Sequence, residues 1–534
     1  MRTTRNNPRR TNRCRAAIAG LSVLVAATVS VGTQATASAA PQGATAGPAQ
    51  QGSSVPAGLL PRTGPKARTV VTTDMEQDDL ASLIRYMLYT NDLDTEGIVY
   101  TASMWHWAGD GSGNGMRWTG TRTIQDIVLK AYAQVYPNLV RHDPSYPTPA
   151  SLLSKVKVGN IAFEDDMAHD TDGSNLIKNL LLDHDPRPVY LQVWGGPNTI
   201  ARALKSIQDQ YEGTPQWSRI HAMVSKKAVI LASGLQDHTY ADYIAPNWPD
   251  LRTEDLSAGY ATWGYNCNWS DTGNTRGLPG DEKYFQGGWI KQNIQIGPLG
   301  SLYRSWLDGQ VMPGDPADIF GDPVLAKTGW CPPLGPYDFL SEGDDVAYMP
   351  LLDTGIQAPQ DPNLGSWGGR AVRVSTTSNL WSMVPTEKDA NGVSQSNYTT
   401  NRWEAAAQND FAARMQWTLT PGYGQGNHAP SVGVLPGGDV HAVPGQTLKL
   451  HGLAADPDGD SVALHWWQYA EEGTYPGKVA VSGSDSATAT VTVPADARPG
   501  QTISLILQGT DNGDFPLTRY ARVMVHVVGS THGG

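Results

Sequence analysis

Basic residues are scarce in this chain. Lys and Arg total 39 against 51 Asp and Glu in 534 residues, a formal net charge of −12. Phosphate backbones are held through a basic face, so a nucleic acid polymer is excluded as a partner. Cysteine is nearly absent, with only 3 residues. Internal repeats are absent, and so is any apolar run long enough to span a membrane. The longest such run, "AAIAGLSVLVAATVSV", follows Arg2, Arg5, Arg9, Arg10, Arg13 and Arg15 and precedes Ala37-Ser38-Ala39. That is the order of a secretory signal peptide with an A-x-A cleavage site. Residues 1–39 are therefore read as a signal peptide and the mature protein as secreted (extracellular). Cleavage removes six arginines and no acid, taking the charge from −12 to −18. It also removes Cys14. Cys267 and Cys331 remain, and export favours a disulfide between them. Two buried free thiols are the alternative.

What is present is a globular composition, 40% hydrophobic with 17 Trp and 21 Tyr, in a chain long enough for more than one domain. Residues 40–66 are small, polar and rich in Gly, Ala and Pro, and read as a flexible linker. From Ala67 the texture changes. "ARTVVTTD" predicts a strand. "DDLASLIRYMLY" places Leu80, Leu83, Ile84, Met87 and Leu88 at helical spacing, with one buried face. "TEGIVYTAS" predicts a second strand. This βαβ unit calls for a parallel sheet in an α/β domain over 67–426. "SNLIKNLLL", "PVYLQVWGG", "NTIARALKSIQDQY" and "KKAVILASG" continue the alternation of helix and strand. Residues 235–335 read as long loops with short helices. Past His428, short alternating runs with turn signals predict an all-β immunoglobulin-like sandwich over 427–534.

The first strand ends in an acidic cluster: Asp74, Glu76, Asp78 and Asp79 in "VVTTDMEQDD". Acids at a helix N-terminus complement its dipole, which accounts for one or two of them. It does not account for Asp74 at the tip of a buried strand. Ligands of open parallel sheets collect at the carboxyl ends of the strands. Several carboxylates converging there repel one another unless a cation binds, and hard oxygen ligands suit Ca²⁺ or Mg²⁺.

"TTDMEQDDLASL" resembles the N-terminal motif of nucleoside hydrolases, an aspartate followed by an Asp pair. More closely, residues 67–530 resemble a secreted, nucleoside-hydrolase-like family described as cellulose-binding proteins of the Sde182 type, in which a β-sandwich follows the hydrolase-like domain. The resemblance implies a nucleoside-hydrolase-like, open and mostly parallel sheet with flanking helices. It also implies Ca²⁺ as cofactor. Asp74 would ligate it and orient or deprotonate the attacking water. Asp79 would be a second ligand, and Asp78 would hydrogen-bond sugar hydroxyls. "VWGGPNTIA" is similar to the family's Gly-Pro loop, which implies the Gly195 carbonyl as a ligand and Asn198 as a substrate contact. A late aspartate completes the set in "LSEGDDVAYMPLLD": Asp344, with Asp345 as its rival. The chain departs from the nucleoside-hydrolase pattern at Thr72 and Gly343, where those enzymes carry Asp and often His. It also departs where they carry a sugar-contacting Asn, since Ser103, Met104, Trp105 and His106 stand there. Glu342 or His238 is then the expected proton source for a leaving group.

The residues also point to the substrate. Trp105, Trp107, Trp118, Trp194, Trp248, Trp263, Trp269 and Trp289 fall in or near predicted loops, where rings pack on sugar C–H faces; core packing is their other reading. Ser103, Trp105 and His106, after the second strand, and Gln236, Asp237 and His238, after the fourth, are expected contacts. The acidic run Glu164 to Ile177 reads as a helix start, with Asp172 to Ser174 as its cap. In the β domain, Asp456, Asp458 and Asp460, then Asp511 and Asp514, read as Asp/Gly turns, with Ca²⁺ at a module edge as the alternative. Of Trp466 and Trp467, adjacent on a strand, one is expected in the core and one outward, where it would serve carbohydrate adhesion. The expected function is a secreted hydrolase of a glycosidic bond in a carbohydrate or nucleoside-like substrate. The alternative is a non-catalytic carbohydrate-binding protein on the same scaffold. Assembly into an oligomer is compatible with either.

Overall fold

The computed structural model describes residues 65–263, 282–315, 318, 321, 335–338, 342–389 and 391–529. The stretch read as a signal peptide, nearly all of the stretch read as a linker, Trp269, and Cys267 with Cys331 lie outside the described residues. Strand β1 (Ala67–Thr73) is buried along its whole length, as expected of "ARTVVTT" in a sheet covered on both faces. It pairs in parallel with β2 (Leu93–Tyr100) on one side and β4 (Val189–Val193) on the other. The sheet runs β3 (Val156–Val158), β2, β1, β4, β5 (Ala228–Ala232), β6 (Arg252–Asp255), β8 (Leu380–Met383) and β7 (Ala371–Arg373). Only β7 is antiparallel to its neighbour. The three strands beyond β5 are only three or four residues long, and one of them ("RTED") is wholly polar, so they carry no periodicity to read. A two-stranded ribbon, β9 (Thr386–Lys388) and β10 (Ser394–Ser396), follows.

The first helix, Gln77–Tyr89, buries every one of its 13 residues, not the single face its periodicity suggested. Its expected polar side is covered by helix Glu404–Trp417 and by the turn Gly343–Ala347. Arg85 is consequently enclosed. Its guanidinium pairs with Glu342 at 2.5 Å and Asp345 at 3.1 Å and lies 4.0 Å from the Phe411 ring centroid. Helix Asp172–Leu182 is capped by the Thr171 side chain in a box with Ser174, so the cap lies one residue before the expected stretch.

The C-terminal strands form two stacked sheets. One is β11 (Ser431–Leu435), β13 (Thr447–Ala455), β16 (Thr488–Thr492) and β15 (Val481–Ser482). The other is β12 (Gly438–Ala442), β18 (Thr518–Val527), β17 (Thr502–Thr510) and β14 (Ala463–Gln468). Alternating Leu448, Leu450, Ala489, Val491, Leu505, Leu507, Val523 and Val525 fill the space between them with Trp466. Trp467 is only partly exposed. It packs 6.0 Å from Trp403 and under the Arg402 guanidinium, joining the sandwich to the α/β domain. Glu472, Arg522 and Tyr520 add hydrogen bonds to Gly365, Ile356 and Thr354 across the same contact.

Candidate active site

The carboxyl ends of β1, β4 and β5 bring the site together. The chain leaves β1 at Thr73, and Asp74 follows. Met75 then takes a left-handed backbone, φ 52°, which a non-glycine side chain resists. The Thr73 hydroxyl accepts from Met75 N–H at 3.0 Å and donates to Asp79, so this turn is locked from within. Asp78 and Asp79 fall in the first turn of the following helix, whose Glu76 N-cap makes no side-chain cap. Far along the chain, Asp344 enters from the short 3₁₀ turn Gly343–Ala347. It accepts from the Ser233 hydroxyl beyond β5, and its own N–H donates to Ser82 Oγ at 3.3 Å.

Asp74, Asp78, Asp79 and Asp344 are all buried. Burial, then the charges of Asp74, Asp344, Asp78 and Glu76, push Asp79 well above the usual carboxylate range. Burial, then Asp78, does the same to Asp344. Burial also raises Asp74, against the pull of His106. Both oxygens of Asp74, Oδ2 of Asp79 and Oδ2 of Asp344 are buried with no hydrogen-bond partner among the described residues. Buried carboxylate oxygens without donors are costly, and this many together call for a cation. All are hard oxygen donors, the set that Ca²⁺ and Mg²⁺ prefer. Carboxylate oxygens of Glu76, Asp78 and Asp79 lie within 4.8 Å of one another.

Two adjacent glycines make the packing possible. A Cβ on Gly195 would stand 3.0 Å from Asp74 Cγ. One on Gly196 would stand 2.3 Å from Asp237 Oδ2 and 2.5 Å from the Ala102 carbonyl oxygen.

The expected contacts separate into groups. His106 is buried beside the cluster, with Nε2 2.7 Å from Glu76 Oε2 and Nδ1 2.8 Å from the Arg117 carbonyl oxygen. Burial alone would lower its pKa, but Glu76 and Asp74 hold it up at about 9. Both partners accept, so both ring nitrogens donate and the ring is an imidazolium. Ser103 is a turn residue whose hydroxyl accepts from the N–H groups of Trp105 and His106. Trp105 is half exposed, at 51%. Gln236 donates to the Trp194 carbonyl at 2.9 Å, one residue from Gly195, and its own Oε1 is buried without a partner.

Asn198 and Asp237 are engaged elsewhere. The Asn198 amide joins Thr101, Asn160 and Asp166. Asp237 accepts from Asn198 N–H at 3.0 Å and from Thr239, and burial raises it to about 6. Both therefore shape the loop under the glycines. His238 is exposed and pairs with Asp165 at 3.0 Å.

Glu342 and Asp345 belong to the Arg85 pocket. A 3₁₀ turn advances about 120° per residue, so neighbouring Asp344 and Asp345 point apart. Asp344 thereby joins the cluster, and Asp345 takes Arg85 and the Tyr348 hydroxyl. Trp194, Trp248 and Trp263 are buried core rings; Trp248 stacks on His221 at 4.5 Å. Sequence reasoning missed Ser233, which nothing near it flags. It also left Glu76 without a role, although Glu76 stands inside the quoted acidic stretch. The Gln77–Asp315–Arg117 chain behind His106 was missed too, with Gln77 Nε2 2.6 Å and Arg117 Nη2 3.0 Å from Asp315 Oδ2.

Comparison with known proteins matches this architecture. The family model "Cellulose-binding Sde182, nucleoside hydrolase-like domain" matches residues 68–371, and "Cellulose-binding protein Sde0182, C-terminal domain" matches 447–527. A solved nucleoside hydrolase-related hypothetical protein from Saccharophagus degradans, associated with carbohydrate metabolism, superposes with a TM-score of 0.65 at 27% identity. The match covers 87% of this chain and 100% of that one. The effector protein XOO4466 is more distant, with a TM-score of 0.34 and 12% identity over 67% of this chain and 95% of its own. None of the curated proteins compared matches the chain. With the acidic strand end, the glycine pair and the trailing sandwich all in place, the chain belongs to the cellulose-binding Sde182 family, whose first domain is nucleoside hydrolase-like.

Proposed function

We propose that the protein is an exported hydrolase of a glycosidic bond in a carbohydrate or nucleoside-like substrate, using Ca²⁺ held at the acidic cluster. The carrying observation is the four buried carboxylate oxygens of Asp74, Asp79 and Asp344 that lack donors. Those three side chains would hold the ion, with the Gly195 carbonyl as a further ligand. When bound, Ca²⁺ supplies charge that orients a water and lowers its pKa. Asp74 then accepts the proton of the attacking water, as a general base worth ~10²–10⁴-fold. Asp78 accepts from ring hydroxyls and so positions the sugar. The His106 imidazolium offsets the negative charge beside Asp74. The exposed ring of Trp105 offers a face to a sugar. Leaving-group protonation falls to His238, the exposed imidazole, because Glu342 is held by Arg85.

A second reading is a carbohydrate-binding protein that has kept the scaffold without turnover. The matched family description, cellulose-binding, favours it. One experiment separates the two: product release from polysaccharides, glycosides and nucleosides, with and without EDTA, beside retention on cellulose. Turnover abolished by EDTA supports the hydrolase. Cellulose retention without any product from any substrate class supports the binding protein.

A further inference from the structure

A second acidic assembly lies where the α/β domain hands over to the sandwich. Three segments meet there: the interdomain linker between helix Glu404–Trp417 and β11, residues 418–430, at its Asn427–His428; the turn Asp456–Asp460 between β13 and β14; and the turn Asp511–Asp514 between β17 and β18. Their packing is explicit. Asp456 Oδ1 accepts from the N–H groups of Asp458 and Asp460 at 2.8 and 3.1 Å. Ser461 N–H donates to Asn512 Oδ1 at 2.7 Å, tying one turn to the other. The Asn427 amide donates to Asp511 Oδ1 at 3.1 Å and to the Asp514 carbonyl at 3.0 Å. His428 N–H donates to Asp458 Oδ2 at 2.7 Å. Carboxylate oxygens of Asp456, Asp458 and Asp460 lie within 4.8 Å of one another.

Turn chemistry explains only half of these atoms. An Asx turn needs one carboxylate oxygen, and Oδ1 of Asp456 and of Asp511 serves that purpose. The other oxygens are left over. Asp511 is only 4% exposed, and its Oδ2 has no partner among the described residues. Asp456 Oδ2 and Asn427 Oδ1 are buried and unpartnered in the same way. Asp511 is near enough to Asp456 and Asp460 for their like charges to act on one another. Three buried acceptors with no donor, among carboxylates that repel, are the mark of an oxygen-ligated cation.

We infer that Asp456, Asp460, Asp511 and Asn427 form a Ca²⁺ site that pins the linker to the sandwich. The donors are all oxygen and include an amide carbonyl, which suits the larger, more loosely coordinated ion. The site lies outside the catalytic cluster and does not depend on it. A bound ion would fix Asn427. It would also fix His428, whose ring stacks on Tyr423 at 3.7 Å and on Trp417 at 4.9 Å, and so would hold the two domains in one relation.

The test is Ca²⁺ stoichiometry of the full secreted chain by equilibrium dialysis. It uses wild type, Asp79→Asn, and Asp79→Asn carrying Asp456→Asn and Asp511→Asn. The expected result is one ion in Asp79→Asn and none in the triple variant. In Asp79→Asn, added Ca²⁺ also protects the 421–426 linker from proteolysis; in the triple variant it does not. Should the triple variant fail to fold by circular dichroism, Asp79→Asn with Asp460→Ala replaces it, because Asp456 holds that turn. Affinity there is expected to fall at least tenfold. No ion in a folded Asp79→Asn, or one retained unweakened in the folded junction variants, overturns the inference. If the cluster at Asp74 holds no Ca²⁺, wild type and Asp79→Asn bind one ion alike, so the two readings fail independently.

Discussion

Asp79→Asn should reverse its effect on stability with Ca²⁺. In the metal-free protein Asp79 sits within 4.8 Å of the Glu76 and Asp78 carboxylates. At an effective dielectric of ~20, two unit charges at that separation repel by about 3 kcal/mol. Burial and these neighbours raise the Asp79 pKa, so protonation relieves part of that repulsion. Asparagine keeps the oxygen that accepts from Thr73 and replaces the orphaned Oδ2 with a donor toward Asp74 and Asp344. In EDTA the variant should therefore be more stable than wild type by about 1–2 kcal/mol. With Ca²⁺ at ~100 times its dissociation constant, wild type gains about 2.7 kcal/mol at this site and the variant does not. The order then inverts. Urea unfolding followed by tryptophan fluorescence, in EDTA and in Ca²⁺, reads both arms. Any contribution from the junction site is common to both proteins and cancels. A variant less stable than wild type in EDTA would refute the claim that unpaired carboxylate charge accumulates here.

Other outcomes follow from single contacts. Burial alone would raise Asp410, but Arg519 on β18 and Arg414 on its own helix hold it down at about 2. Its stabilisation of about 2 kcal/mol is complete above the unfolded value near 3.8 and is lost as pH falls through about 2. In Asp410→Asn that acid-range loss should vanish, and the charges left on Arg414 and Arg519 should cost about 3 kcal/mol at neutral pH, both measurable by urea titration at several pH values. Glu342→Gln should destabilise the fold by about 3 kcal/mol while sparing kcat in the folded fraction; a kcat loss without destabilisation would return Glu342 to the chemistry. Gly195→Ala, whose methyl would reach 3.0 Å from Asp74 Cγ, should lower Ca²⁺ affinity at the cluster at least tenfold, read by the same dialysis. Trp105→Ala should weaken polysaccharide retention or raise KM without moving the melting temperature, because the ring is half exposed.

Periodicity made the first βαβ unit readable, because β1, its helix and β2 are neighbours in sequence and in space. The cluster was readable for a related reason. Asp74, Asp78 and Asp79 lie within six residues, and a buried strand end has little use for three charges. Short strands such as β6, "RTED", were not readable, since four residues with no apolar alternation carry no period. The split between Asp344 and Asp345 was not readable either, because both are acids in one short stretch and only the 3₁₀ turn gives them opposite surroundings.

The sequence by itself determined the alternation of helix and strand through β5, the acidic strand end, the glycine pair and the trailing β domain, since each depends on local pattern. The tertiary structure decided which charges are paired. Arg85, alone on a helix that reads as half exposed, becomes the partner of Glu342 and Asp345 once the turn Gly343–Ala347 and the helix Glu404–Trp417 close over it. No such cation reaches Asp79 or Asp344 among the described residues, and both keep buried oxygens without a donor. The physical reason is range. A carboxylate's role depends on what lies within a few ångströms, and those neighbours come from segments far apart in the chain.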